Sequence, residues 1–462
     1  MSNYQSSTEN NAKLLASSHV YFIGIGGIGM SALARYFHAK GAVVSGYDKT
    51  ATSHTDALTK LGISIVFEDD ISNIPTSINL VVYTPAIPAT HLQLQYLISN
   101  GYTVVKRSDV LQWITENSFN ICVGGTHGKT TISTMVAHIL RDSAYGCNAF
   151  LGGISANYNT NFWSSNNNVA VIEADEYDRS FLKLVPDIAI ITAVDSDHLD
   201  IYKAAAAVED AFIEFAGKIK PTGTLITNYS NRVNDQFISP NIISYHISNT
   251  EANVYASSIE VVNGAYHFSV FAKNWQLNNV VLNMGGLHNV ENTIAAITVA
   301  KLLNISDEKI IQAVANFKGI KRRFDFYLRE TTKVLIDDYA HHPEELKALI
   351  NGVKSLFHLP ITIVFQPHLF SRTIDMADAF AESLSMADEV LLLPIYAARE
   401  LPIDGITSNI IASKIGGNKC KEVSKQELLK YLVSHPKQLV VMAGAGDIDV
   451  LVTDVKKIME QQ

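Results

Sequence analysis

Cysteine is scarce in this chain: three residues among 462, Cys122, Cys147 and Cys420, lie far apart. No two have the spacing of a metal clamp, and they do not form a disulfide framework, so a reducing intracellular setting and a core-filling role are expected. No apolar run is long enough to cross a bilayer, which argues against a membrane partner. Residues 1–18 are polar and rich in Asn and Ser, without the basic start and apolar stretch of a secretory signal; a cytoplasmic protein with a frayed start is expected. A basic surplus is also missing. With 36 Lys and Arg against 45 Asp and Glu, the net charge is -9; this disfavours nucleic acid as a partner and leaves room for local anion sites. There is no short tandem repeat and no low-complexity segment beyond the Asn-rich residues 157–168, expected to be a surface loop.

The length fits roughly three domains of about 150 residues, and 47% hydrophobic residues can fill their interiors. The most informative stretch is Gly124-Gly125-Thr126-His127-Gly128-Lys129-Thr130-Thr131, between a strand-like Ile121-Cys122-Val123 and a helix-like run over 132–140. Small residues let backbone amides turn around phosphate oxygens, Lys129 can reach the outer phosphates, and the Thr130 hydroxyl can ligate the magnesium that accompanies ATP. Val123 stands where the full Walker pattern has its first glycine.

Ahead of this loop, His19-Val20-Tyr21-Phe22-Ile23 reads as a buried strand, Gly24-Ile25-Gly26-Gly27-Ile28-Gly29 as a phosphate-binding turn, 30–40 as a helix and 42–47 as the next strand. Asp48, about 20 residues after the turn, fits a ribose hydroxyl. A dinucleotide cofactor and a nucleotide-linked substrate both satisfy this pattern, because the turn and helix N-terminus accept a pyrophosphate whichever nucleotide carries it. The expected domains are 1–118, 119–324 and 325–462. Short apolar runs at 169–173, 188–192 and 223–227 suit a parallel sheet buried on both faces, and alternation over 253–282 suggests an antiparallel annex. In the last block, strands near 334–337, 361–365, 389–393 and 439–443 alternate with helices, as in an open parallel sheet.

Several groups follow strands, where open parallel sheets place ligand-binding side chains. Glu173-Ala174-Asp175-Glu176 offers hard oxygen donors for magnesium, Glu173 first, and His198 lies among Asp195, Asp197 and Asp200 as a second candidate ligand. His288-Asn289-x-x-Asn292 is equally consistent with reading a purine edge and with capping a helix. Asp337-Asp338-Tyr339-Ala340-His341-His342-Pro343 and Gln366-Pro367-His368-Leu369-Phe370-Ser371-Arg372 should face one cleft, with Arg372 and a histidine forming a carboxylate clamp. His341-His342 lacks the helix and glutamate of a zinc protease motif.

Taken in order, the two glycine motifs, Glu173-Ala174-Asp175-Glu176, His288-Asn289-x-x-Asn292, Arg322-Arg323-Phe324, Asp338 to Pro343 and Gln366-Pro367-His368 resemble the Mur ligases. The resemblance implies three α/β domains: a Rossmann-like N-terminal domain, a central P-loop ATPase-like domain carrying the annex, and a Rossmann-like C-terminal domain. It implies a cytoplasmic enzyme of peptidoglycan precursor synthesis that joins L-alanine to the lactoyl carboxylate of UDP-N-acetylmuramate through an acyl phosphate, as a monomer or weak homodimer. Gly24, Gly26, Gly27, Gly29 and Asp48 would contact the sugar nucleotide, and Glu176 would be substrate-binding. Gly125, Thr126, His127, Gly128, Lys129, Thr130 and Thr131 would hold ATP, with Asn292 at adenine and Arg323 and Asp338 bringing over the last domain. Thr130, Glu173 and His198 would bind magnesium or manganese, and Lys129, Glu173 and His198 would be catalytic. Tyr339, His341, His368 and Arg372 would shape the alanine pocket, and His198 and His341 are candidate bases for the amine. Leu369 stands where many members carry arginine, and residues 204–216 lack the lysine that several sister ligases carbamylate. A sister ligase attaching a recycled peptide, or a nicotinamide oxidoreductase or nucleotide-sensing module, are the other readings; the last two leave Lys129, Glu173 and the third block unexplained.

Overall fold

The structure, a computed structural model, describes residues 11–177, 179–195, 202, 204–398 and 400–462. His198 lies outside the described residues. Three sheets follow one another along the chain, and no described helix is long and apolar enough to cross a membrane.

The first sheet is wholly parallel, in the spatial order Ser64–Val66, Val43–Tyr47, His19–Ile23, Leu80–Tyr83, Val104–Lys106. Its order reverses beside His19–Ile23, so a crevice opens at the C-terminal end of that strand, where the glycine turn lies. Helix Ile28–Ala39 starts there. It buries Met30, Leu33, Ala34 and Phe37 at the i, i+3, i+4, i+7 spacing of one helical face.

The central sheet has ten strands. Phe119–Gly124 lies inside it between Ile188–Ile191 and Val169–Glu173, all parallel, and carries the phosphate loop at its C-terminal end. The expected annex is present as Val254–Val262, Ala265–Ala272 and Trp275–Leu282, antiparallel to one another. It is continuous with the main sheet through the parallel pairing of Tyr245 and Val254.

The Asn-rich stretch departs from the expected surface loop. Thr160–Trp163 is an edge strand paired antiparallel with Asn148–Ser155, and Asn161 is 1% exposed. Its amide donates to the Ile28 carbonyl at 2.6 Å and to Ser31 Oγ at 3.1 Å, on the first turn of the glycine helix. Phe150 and Phe162 pack around Tyr36 of the same helix, and this aromatic burial pulls the hairpin inward.

The third sheet runs Asp325–Arg329, Val334–Asp338, Leu439–Ala443, Ile361–Phe365, Glu389–Leu392, Cys420–Glu422. Five strands are parallel, as the alternating pattern requires, while Asp325–Arg329 is reversed. A tight turn closed by Glu330 N–H to the Lys333 carbonyl joins it to its neighbour, leaving no room for a crossover helix.

Candidate active site

The phosphate loop is shaped by two left-handed glycines, Gly125 at φ 129° and Gly128 at φ 80°, before helix Lys129–Asp142. At Gly128 a side chain would also meet Asn292 Oδ1 at 2.9 Å, so the loop and the helix bearing Asn292 are in close contact. Asn292 is itself oriented by donating to Asn289 Oδ1 at 3.1 Å. Thr126 and Thr131 are buried, whereas the His127 ring is exposed, 3.8 Å from Asp195.

Lys129 curls back over the loop. Its ammonium donates to the Gly125 carbonyl at 2.7 Å, to the Thr126 carbonyl at 3.3 Å and to Glu176 Oε1 at 2.8 Å. Glu176, expected to be substrate-binding, is 1% exposed and lies against this lysine. Asp175 has its carboxylate turned to the Tyr177 amide at 3.2 Å.

Glu173 accepts from the Thr130 hydroxyl at 2.9 Å, from the Gly152 amide at 2.9 Å and from Ser133 Oγ at 3.4 Å. Burial raises its carboxyl above the ordinary range, against the opposing pull of these hydrogen bonds and of the Lys129 and Arg323 charges. A carboxylate short of positive charge beside a hydroxyl is a hard-oxygen pair that fits magnesium.

Arg323 comes from the segment entering the third sheet. It lines a cavity of about 650 Å³ together with Lys129, Thr130, Asn292, Asp338 and Tyr339, so all three parts of the ATP expectation converge on one space. Asp338 accepts from the Phe324 and Ala340 amides, each at 2.7 Å, and burial pushes its carboxyl up to about 6. Such a group, with a guanidinium nearby, can hold a nucleotide hydroxyl or orient Arg323.

These features can be set against known proteins. Residues 19–118 match the model described as Mur ligase family, catalytic domain, residues 123–300 the Mur ligase middle domain, and residues 322–446 the Mur ligase, glutamate ligase domain. A UDP-N-acetylmuramate–L-alanine ligase of Porphyromonas gingivalis is 48% identical over 450 residues, covering 96% of this chain and 99% of that protein. The chain belongs to the Mur ligase family. A ligase of the same name from Cytophaga hutchinsonii is 44% identical over 96% of this chain and 97% of its own length. The crystal structure of the UDP-N-acetylmuramate–alanine ligase MurC from Thermotoga maritima superposes with a TM-score of 0.80 at 26% identity, covering 96% of this chain and 98% of that one.

Beyond the cavity, Tyr339, His341 and His368 form a chain of rings, with centroids 5.3 Å and 6.0 Å apart. Tyr396 extends it, stacked on His368 at 5.8 Å. Tyr396 carries no motif and is placed by strand-like pairing of His368 with Tyr396, so sequence reasoning missed it. Burial and the Arg372 and His341 charges lower the His368 value. His368 Nδ1, Arg372 Nη1 and Gln366 Oε1 are buried without a hydrogen-bond partner among the described residues, so polar capacity is left unmet where the alanine pocket was expected. Leu369 adopts a positive φ of 71°, strained for a residue with a side chain, and its amide is held by the Tyr396 carbonyl at 2.9 Å.

At the first glycine turn, Asp48 accepts from the Gly26 amide at 2.7 Å and from Thr50 N at 3.3 Å. It buttresses the turn in addition to any ribose contact. Gly24, Gly27 and Gly29 complete that turn, and a side chain at Gly29 would overlap the Arg107 guanidinium. Arg107 is a second residue absent from the motif reading, because it comes from a different strand end.

Proposed function

We propose that this Mur ligase joins L-alanine to the lactoyl carboxylate of UDP-N-acetylmuramate in an ATP-dependent, acyl-phosphate reaction of cytoplasmic peptidoglycan precursor synthesis. The observation that carries this reading is the one cavity in which Lys129 and Thr130 meet Arg323 and Asp338 from the last part of the chain, beside a half-buried Glu173. Names borne by close relatives of nearly full length supply the substrates.

In this reading residues 1–118 hold the uridylylated sugar on Gly24, Gly26, Gly27 and Gly29. Residues 119–324 hold ATP on the loop from Gly125 to Thr131, with Asn292 at the adenine, and residues 325–462 bring the amino acid on Tyr339, His341, His368 and Arg372. Thr130 and Glu173 would hold magnesium or manganese, together with His198; the metal would screen the repulsion between carboxylate and triphosphate. Lys129 moves from Glu176 onto the phosphates and stabilises charge developing on the transferred group. A lactoyl oxygen forms its bond to the γ-phosphorus as the bond to the β,γ-bridging oxygen breaks, releasing ADP. The alanine amine, having given up its proton to a base such as His341, then attacks the acyl carbon. The tetrahedral intermediate collapses to an amide by expelling inorganic phosphate. Arg372 takes the alanine carboxylate and the ring chain from Tyr339 to Tyr396 bounds the small side chain.

Phosphate release measured with ATP, magnesium and UDP-N-acetylmuramate, offering L-alanine, glycine, L-serine or a muropeptide-type tripeptide in turn, tests the proposal. Turnover led by L-alanine is expected. Turnover led by the tripeptide would transfer the chain to the recycling branch, and none with any acceptor would refute the ligase reading.

A further inference from the structure

A small cavity of about 140 Å³ lies between the first two sheets, running from the glycine helix to the carboxylates of Glu173 and Asp175. Arg107, the first residue of helix Arg107–Glu116, is its basic wall, and Leu111 and Phe150 are apolar walls. The guanidinium lies so close to Gly29, in the first turn of helix Ile28–Ala39, that any β-carbon there would overlap it.

Arg107 has no hydrogen bond or ion pair to a side chain among the described residues. The carboxylate next to it in sequence, Asp109, is occupied by the Lys106 amide at 2.8 Å and by Lys183 of the central domain. Lys129 is likewise engaged by Glu176. Meanwhile Asp48 brings negative charge onto the Gly26 amide, against any anion entering the turn. A ligand phosphate there needs a cation to offset Asp48, and the Arg107 guanidinium lies against Gly29 beside the turn. The far end of the cavity, with two carboxylates, repels an anion, so the charged part of the ligand belongs at the Arg107 end.

Resting on the ligase reading above, we infer that Arg107 is a substrate-binding residue whose guanidinium, packed against the first turn of the glycine helix, grips the diphosphate of the sugar nucleotide. The grip is on the nucleoside diphosphate itself, so it extends to UDP without the sugar. It also fixes how far the sugar reaches toward Glu173.

Calorimetric titration of the full-length protein with UDP, UDP-N-acetylglucosamine and UDP-N-acetylmuramate, without ATP or alanine, separates this idea from the catalytic reading. For Arg107→Ala, all three should bind at least tenfold more weakly and by a common factor, with part of the loss recovered in Arg107→Lys. The KM for UDP-N-acetylmuramate should rise by a like factor, and that for ATP should not. ATP binding and melting temperature, measured alongside, should match wild type; should Arg107→Ala fail to fold, Arg107→Lys alone must still weaken UDP. Unchanged UDP affinity in the folded variant overturns the inference, and so does a loss confined to UDP-N-acetylmuramate, which would move the guanidinium to the lactoyl carboxylate. If wild type binds UDP in this manner but ligates no amino acid, the ligase reading fails while the diphosphate grip stands.

Discussion

The joint between the first and central sheets and the joint between the central and third sheets are made of different materials. At the first, Tyr36, Phe150 and Phe162 interlock, Asn161 is buried with both amide bonds made, and Lys183 pairs with Asp109. At the second, the Phe324 ring fills the space over Gly285 and lies 3.2 Å from the position a β-carbon would take at Gly352. Open space flanks this plug: the 650 Å³ cavity holds Phe324 in its wall, and a cavity of about 1250 Å³ lies beyond it, lined by Asn283, Phe326, Arg329 and Phe357. Arg322 and Phe324 both have left-handed backbones, at φ 60° and 50°. The first joint is interlocked around a buried amide, whereas at the second the Phe324 plug and hydrogen bonds from Arg329 to the Asn283 and Gly264 carbonyls and between Tyr266 and Ser355 lie between two large clefts, an arrangement suited to a pivot of the last domain.

The strongest test of this division is Lys129→Ala. Loss of the chemical step by roughly 10³-fold or more is expected, with sugar-nucleotide binding retained because it depends on the other joint. Pre-steady-state phosphate release and UDP-sugar titration read the two halves separately; parallel losses would merge the two sites. Next in size, Phe324→Ala should destabilise by about 3–5 kcal/mol and raise the KM for the amino acid more than that for the sugar nucleotide. Equal effects on both substrates in denaturant-controlled kinetics would remove Phe324 as the pivot.

Asp337 offers a pH probe of the same hinge. Fully buried beside Arg322, 3.9 Å from its Nε, it has its carboxyl pushed up to about 7 by burial. Because the folded protein holds this proton more tightly than the unfolded chain, the group's stabilising contribution is complete below about pH 4 and is lost as pH rises through 7. Asp337→Asn should therefore be more stable than wild type at pH 8, by at most about 4 kcal/mol, with the gap shrinking toward pH 5, as denaturant titrations at each pH would read. A constant gap across that range would show the carboxyl to titrate normally. The smallest effect belongs to the first joint. Asn161→Leu should cost about 1–3 kcal/mol through loss of its two buried hydrogen bonds, to the Ile28 carbonyl and Ser31 Oγ, and weaken UDP-sugar use without touching ATP binding, as thermal melts and separate ligand titrations would reveal.

The phosphate loop, the glycine turn and the alternation of strands and helices were readable in the sequence because each is a local pattern, complete within about 20 residues. The buried hairpin strand at Thr160–Trp163 was not, because its Asn-rich composition matches a loop and only the aromatic side chains of a distant helix make burial favourable. Tyr396, Arg107 and the antiparallel strand Asp325–Arg329 escaped for the same reason: each derives its place from partners far along the chain.

By itself, then, the order of residues determined which chemical groups the protein carries and that they follow strands: a lysine and hydroxyl after one, a glutamate after the next, histidines and an arginine in the last block. The tertiary structure alone decided that Lys129 rests on Glu176, that Arg323 shares a cavity with Thr130, and that the second joint lies between two large clefts. Periodicity encodes local geometry because neighbouring residues share one backbone, whereas charge pairing and packing between domains depend on distances that only the folded chain sets.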